Sequence, residues 1–322
     1  MKAIPTCDVE EAVSALRRGD AIGLPTETVY GLAADATNPA AVARVFALKR
    51  RPANHPLIVH IASAAQLGRW ARVVSPWATA LAASFWPGPL TLVLPRAEHV
   101  LDAITGGQET VAVRVPAHPL AQKVLIAFGS GVVAPSANRF GRISPTMPEH
   151  VRAEFGDDVA CVLDGGACAV GIESTILDVS TNTPRILRPG AVTVPMLEAV
   201  LDTPVASTAE AGSPRVPGGL PAHYAPRTPL ELVDASAFRL LDTGPDALWL
   251  TWSADPPAGS GLRLPAEATG YAKGLYAALR ILDARGARQL YVEKPPESQQ
   301  WAGVRDRLTR AAAGAGADER GS

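Results

Sequence analysis

Between Asp202 and Pro229 the hydrophobic periodicity of the chain stops. Pro, Gly, Ala, Ser and Thr dominate the stretch, and regular spacing returns only with "LELV" from Leu230. A segment of this kind, roughly 25 residues long, reads as a linker. It divides the 322 residues into a large unit, 1–201, a linker, 202–229, and a smaller unit, 230–322. Long segments without regular structure are also common as lids over functional sites.

The large unit alternates strands and helices. Asp8 suits the cap of a helix reaching Arg18, and Gly19 suits its stop. The short strand "AIGL" follows, so "GLPTETVYGLAADA" begins at the C-terminal end of a strand, where open α/β sheets place ligands. Asn38 and Pro39 open a second helix. "LIVHI", "LTLVL" and "VAVRV" read as strands, the last alternating as if one side faced the core. Helices from Ser75 to "FWPGP" and around Leu120 to Phe128 separate them. Helix "MPEHVRAEF", strands "VACVL", "STILDV" and "RILR", and a helix from Pro195 to Leu201 complete the unit. The smaller unit reads as a small α/β layer: "LELV", "ALWLTW", a helix from Tyr271 to Leu282, "QLYVE", and a helix starting near Trp301. The terminal "AAAGAGADERGS" reads as frayed.

Charge and cysteine content exclude several classes. Thirty Lys and Arg against 31 Asp and Glu argue against a protein that coats nucleic acid non-specifically. Cys7, Cys161 and Cys168 are too few and too irregularly spaced for a disulfide framework or a tetrahedral metal site, so a reducing compartment is expected. The N-terminus is acidic where a secretory signal would be apolar, and no run approaches the ~20 apolar residues of a membrane helix. A soluble, cytoplasmic protein is the expectation.

Polar residues then gather where apolar segments end. In "ALKRRPANHPLIVHI", Lys49, Arg50 and Arg51 read either as helix C-terminal charges or as an anion site. His60 interrupts a buried run, and a core histidine and a ligand-facing one are equally consistent with that. Arg114 stands within "TVAVRVPAHP", where a buried guanidinium needs an anion or an internal carboxylate. "VVAPSANRFGRISPT" delivers Ser136, Asn138, Ser144 and Thr146 after a buried strand, which suits a polar pocket wall as well as helix caps. "LDGGACAVGIESTILDV" adds a Gly turn before Glu173, Ser174 and Thr175, and Arg188 meets a Pro-Gly turn in "RILRPGAVT". There is no GxGxxG after the first strand, no GxxxxGK[ST], no GxSxG and no HExxH. Any phosphate is therefore held by side chains and turns of another design.

In order along the chain, "PTETVYGL", "KRRPANHPLIVHI", "FWPGPLTLVL", "TVAVRVPAHP", "APSAN", "SPT", "GIESTILDV" and "RILRPG" resemble the threonylcarbamoyl-AMP synthases of the YrdC type. "PRVPGGLPAHYAP" resembles the linker of the longer, two-domain members. The resemblance is dense over residues 10–200 and extends through the linker. It implies a twisted mixed α/β sheet with helices around a basic concave pocket, plus a small C-terminal Rossmann-like α/β domain. It also implies an enzyme that condenses L-threonine, bicarbonate and ATP, with Mg²⁺ assisting, to threonylcarbamoyl-AMP and pyrophosphate. The product serves N6-threonylcarbamoyladenosine formation at position 37 of tRNA, through a downstream tRNA threonylcarbamoyltransferase. Direct contact with tRNA is left open.

The resemblance also implies roles. Lys49, Arg51 and Arg114 would act by charge and positioning, with no general base assigned. ATP would meet Lys49, Arg51, His55, Arg114, Ser136, Asn138, Ser144, Arg188 and Tyr224. Threonine would meet Thr26, Tyr30, His60, Ser136, Ser174 and Arg188. Glu27 would orient its neighbours, and His223 with Tyr224 would fold over the nucleotide. No metal ligands are assigned. The sequence departs from the family at Ala222, usually basic, and at His55, commonly Asn. Two other readings stand beside this one: a non-catalytic RNA-binding module of the same fold, and a paralogue acting on another amino acid.

Overall fold

Asp8 opens the first helix, α1 (Val9–Arg17), through a reciprocal capping box with Glu11. The computed structural model describes residues 6–207, 210, 212–235, 246–257 and 259–316. After α1 come β1 (Ile22–Leu24) and β2 (Gly31–Asp35), an antiparallel pair joined by the residues of "PTETVY". The large unit continues with α2 (Pro39–Lys49), β3 (Ile58–His60), α3 (Pro76–Phe85), β4 (Leu90–Pro95), α4 (Asp102–Thr105) and β5 (Thr110–Arg114). Next are α5 (Pro119–Phe128), β6 (Val132–Val133), α6 (Pro148–Phe155), β7 (Cys161–Val162), β8 (Thr175–Asp178), β9 (Arg185–Arg188) and α7 (Val194–Leu201). Helices α2, α3 and α5 each carry Pro at the first position, where its missing N–H costs nothing.

The nine strands form one mixed sheet in the order β7-β1-β2-β6-β3-β5-β4-β8-β9. Pairs β1/β7, β3/β5 and β4/β8 are parallel and the others antiparallel. The β3/β5 register sets His60 beside Arg114, so two buried polar side chains emerge together at the sheet's centre. β5 is not one-sided as its alternation suggested. Val111 and Val113 pack into the main core while Ala112 joins a second cluster on the opposite face, because β5 lies between β3 and β4 in the middle of the sheet.

Among the described residues the smaller unit comprises β10 (Leu230–Val233), β11 (Ala247–Thr251), β12 (Gly261–Arg263), α8 (Ala268–Asp283), β13 (Gln289–Glu293) and α9 (Ala302–Gly314). Its four strands are all parallel, in the order β10-β13-β11-β12. Its core does not end at its own boundary. Tyr276, Leu279 and Leu308 cluster with Val29, Ile143, Ile172 and Tyr224 of the preceding chain. The small unit is therefore packed against the loop after β1, the loop after β6, the segment before β8 and the linker.

The cysteines depart from the expectation set by the sequence. Cys7 and Cys161 form a disulfide, with Cα atoms 5.7 Å apart, tying the segment before α1 to β7. Number and spacing pointed away from disulfides because the partners are separated by 154 residues and meet only through the sheet. Cys168 remains a buried free thiol. No described helix is long and apolar enough to cross a membrane.

Candidate active site

The polar residues of "PTETVY" are all hydrogen-bonded, three of them beyond the turn. Thr26 Oγ1 donates to the Val29 carbonyl at 2.6 Å and accepts from the N–H groups of Thr28 and Val29. Glu27 pairs with Arg114 at 2.6 Å, and its other oxygen accepts from the Ala117 N–H at 2.9 Å. Thr28 Oγ1 accepts from the same guanidinium at 2.8 Å. The Tyr30 phenol donates to the Gly166 carbonyl and accepts from the Gly165 N–H, closing the "DGG" turn. Tyr30 thus holds a neighbouring loop from behind and stands outside the cleft lining.

A cleft forms where this turn meets the ends of β3 and β5, the loop after β6, the start of β8 and the end of β9. Thr26, Arg51, His60, Arg114, Ser136, Ser174, Arg188 and Tyr224 line it, eight of the residues expected from sequence. Thr28, Glu173 and His223 line it as well.

The three guanidiniums are held differently. Arg114 is engaged by Glu27, Thr28 and the Gly88 carbonyl, so its charge is met internally, the alternative that the sequence had left open. Arg51 donates to the Pro56 carbonyl at 2.8 Å, and its Nε is buried without a partner. Arg188 donates to the Ser174 carbonyl through Nε and Nη2, to Ser174 Oγ, and to the Pro217 carbonyl. None of these acceptors is a carboxylate. Burial pulls Arg51 down to about 10, and Arg188 adds to the effect. Burial likewise lowers Arg188, with Arg307 contributing in the same direction. Two dehydrated cations in one cleft make a positive potential that an incoming anion relieves.

The remaining expected residues support the loops. Lys49 is buried, and its ammonium donates to the carbonyls of Ser136 and Asn138 at 2.5 and 2.7 Å. Burial, then the nearby Arg51, lowers its proton affinity well below the usual range. Asn138 donates to the carbonyls of Arg139 and Arg142, while its Oδ1 is buried without a partner. Ser144 donates to Glu173. His55 packs edge-on against Phe140 at 5.2 Å. These four, like Tyr30, sit outside the cleft lining.

The linker covers part of the cleft. Val216, Pro217 and Gly218 pass over Arg188, and His223 and Tyr224 complete the cover. Tyr224 adopts φ +62°, unusual for a side-chain-bearing residue, and its Oη is buried without a partner. The cleft stays partly open to solvent, and its free volume is about 40 Å³, room for a few waters.

His60 and His223 are both buried, and burial depresses each to about 3 from an ordinary 6.5. The unfolded chain therefore takes up two protons below pH 6.5 that the folded chain refuses until about pH 3. Their contribution to stability is complete above pH 6.5 and is lost as the pH falls through that window. Each histidine contributes a slope of up to about 1.4 kcal/mol per pH unit. Thermal melts should show a falling melting temperature between pH 6.5 and 5, shallower in His60→Asn. A flat profile would contradict the burial of neutral imidazoles.

Among the described residues, no three His, Cys, Asp or Glu side chains gather to hold a metal. Glu173, the carboxylate of the cleft, is saturated by Ser144, Tyr276 and Arg307. The donor set does not fit a protein-held Mg²⁺.

A family model described as "Telomere recombination" matches residues 14–190, and one described as "Threonylcarbamoyl-AMP synthase, C-terminal domain" matches residues 192–313. The threonylcarbamoyl-AMP synthase of Bacillus subtilis is 36% identical over 326 residues, 95% of this chain and 93% of that protein. That of Pyrococcus abyssi is 43% identical over 227 residues, 69% of this chain and 67% of that protein. The crystal structure of P. abyssi Sua5 complexed with L-threonine superposes with a TM-score of 0.89 at 35% identity, covering 95% of this chain and 94% of that one.

Proposed function

The chain belongs to the threonylcarbamoyl-AMP synthase family in its two-domain form, and from that premise we infer how its cleft carries out the reaction. Threonine, bicarbonate and ATP give threonylcarbamoyl-AMP, pyrophosphate and water. The threonine amine adds to bicarbonate with loss of water, and a carbamate oxygen then attacks the α-phosphorus as the P–O bond to pyrophosphate breaks. The nucleophile is already anionic, so charge neutralisation and alignment suffice and no side chain is assigned as base.

The observation that carries this reading is the convergence of Arg51 and Arg188 on one cleft without a carboxylate bonded to either. A triphosphate supplies the missing counter-charge. Ser136, Ser174 and neutral His60 offer short hydrogen bonds to the amino acid, Thr26 shapes the wall of its site with a hydroxyl engaged within the turn, and Arg188 faces the carboxylate or carbamate. Arg114 acts as the anchor of the Thr26–Thr28 turn through Glu27. Lys49 and Asn138 set the loop that carries Ser136. Ser144 acts through Glu173, and Tyr30 and His55 support the walls. Mg²⁺, if it arrives with the nucleotide, would supply further charge neutralisation beside Arg51 and Arg188.

On this reading residues 216–224, which cover part of the cleft, swing out to admit substrates and return over them. Closure keeps water from the carbamate and the adenylate, both of which hydrolyse. The product passes to a tRNA threonylcarbamoyltransferase, and the cytoplasm is the setting that this role implies.

The test is product analysis by mass spectrometry with ATP, ¹³C-bicarbonate and each candidate amino acid. Labelled threonylcarbamoyl-AMP, formed only when threonine, bicarbonate and ATP are all present and without RNA, is the expected result. Product from another amino acid alone would identify a paralogue, and the absence of any adenylate would overturn the enzymatic reading.

A further inference from the structure

Glu173 faces the cleft but is gripped from behind by the small domain. Its Oε2 accepts from Arg307 Nε at 2.7 Å and from Tyr276 Oη at 2.9 Å, while Oε1 accepts from Ser144 at 2.5 Å. Arg307 stands on α9 and Tyr276 on α8, and both are fully buried. The Arg307 guanidinium continues to the Glu173 carbonyl at 3.2 Å, to the Pro189 carbonyl at 3.0 Å, and to Asp306 at 2.6 Å. Its carbon also lies 5.2 Å from the centroid of the Tyr224 ring in the linker.

One side chain of the last helix therefore joins the entry to β8, the exit of β9 and the cover of the cleft. On the cleft side, Arg188 makes the reciprocal grip on the Ser174 carbonyl at 3.1 and 2.9 Å. The two guanidiniums thus hold successive carbonyls at the start of β8, Arg307 that of Glu173 and Arg188 that of Ser174, and Arg307 also holds the Pro189 carbonyl after β9. The approach of α9 is correspondingly close: a methyl group on Gly303 would lie 3.0 Å from Gly190 Cα. A packing role alone does not call for an ion pair here, since apolar residues of the same volume fill such a space without the desolvation cost.

We propose that Arg307 is a positioning residue for the synthase reaction, acting through Glu173 to set Ser174 and Arg188 against the amino-acid substrate. This rests on the reading that the cleft binds threonine. The small domain thereby gains a part in catalysis, because the cleft wall is complete only when α9 is docked. Tyr276 is the weaker member of the same device, contributing one hydrogen bond where Arg307 contributes a fork.

The test uses the full chain and four proteins: wild type, Arg307→Gln, Tyr276→Phe and Arg305→Gln. Arg305 lies on the same helix but caps the carbonyls of Pro296 and Ser298 within the small domain, so it reports general loosening of α9. Steady-state pyrophosphate release is measured against threonine and against ATP, with melting temperatures alongside. Arg307→Gln is expected to raise the KM for threonine about tenfold or more, with a smaller change for ATP, and Tyr276→Phe to raise it about two- to fivefold. Arg305→Gln is expected to keep both KM values within about twofold whatever its melting temperature. A folded Arg307→Gln with the wild-type KM for threonine would overturn the proposal. Should that variant fail to fold, an unchanged threonine KM in Tyr276→Phe would overturn it instead. A wild type that makes no adenylate from threonine would overturn the functional reading itself, which separates the two failures.

Discussion

Arg188→Ala is expected to lower kcat/KM for threonylcarbamoyl-AMP synthesis by about 10²–10³-fold, the equivalent of roughly 2–4 kcal/mol of transition-state stabilisation. The magnitude follows from where the guanidinium sits. It is 3% exposed, its acceptors are carbonyl and hydroxyl oxygens, and burial has already lowered its hold on the proton. Such a cation is poised for an anion, and water admitted to the space it vacates carries no compensating charge. The substitution also unpins Pro217 from the cleft wall, so closure and charge are lost together. Arg188→Lys should recover little, because a point charge cannot reach Ser174 and Pro217 at once. Pyrophosphate release, normalised to folded protein by circular dichroism, measures the effect. A loss below about fivefold would place the critical charge elsewhere.

Gly218→Val is expected to cost on the order of 10²-fold in kcat with the fold retained, because it stops the linker from seating. Gly218 has φ +75°, and a Cβ there would lie 2.0 Å from Tyr224 Oη. Backbone strain of about 1–3 kcal/mol accompanies the collision. Gly129→Val separates the two effects. Gly129 has a similar φ of +78° at the end of α5, with open space where its Cβ would point. It should lose stability yet keep its activity per folded molecule. Comparable kcat losses in both variants would mean that strain, and not closure, was being measured.

Much of the scaffold was readable because local chemistry is specific. The Asp8 cap, the Pro residues that open α2 and α3, the helix around Leu120 to Phe128 and the apolar runs of β3, β4 and β5 all became the expected elements. β2 escaped because "GLAAD" lacks the branched and aromatic residues that mark a strand, and it is held by its neighbours in the sheet. Site residues were legible as polar groups at the ends of apolar segments, which is how Arg51, His60, Arg114, Ser136, Ser174 and Arg188 stood out. Their partners were not legible. Glu27 meets Arg114 across 87 residues, and Arg307 meets Glu173 across 134. In the sequence Arg307 is one arginine among several in an ordinary helix, and only the docking of the small domain gives it a role. The split among Lys49, Tyr30 and the cleft-lining residues is likewise a matter of side-chain direction, which periodicity does not report.

Whether the buried arginines gather round substrate is tested most directly by a crystal structure of the full chain with threonine and a non-hydrolysable ATP analogue. The phosphates should lie beside Arg51 and Arg188, with threonine against Thr26, Ser174 and His60 and residues 216–224 closed over both. Phosphates found instead in the separate cleft lined by Arg50, Arg139 and Arg142, with Arg51 and Arg188 unmoved on their carbonyls, would contradict it.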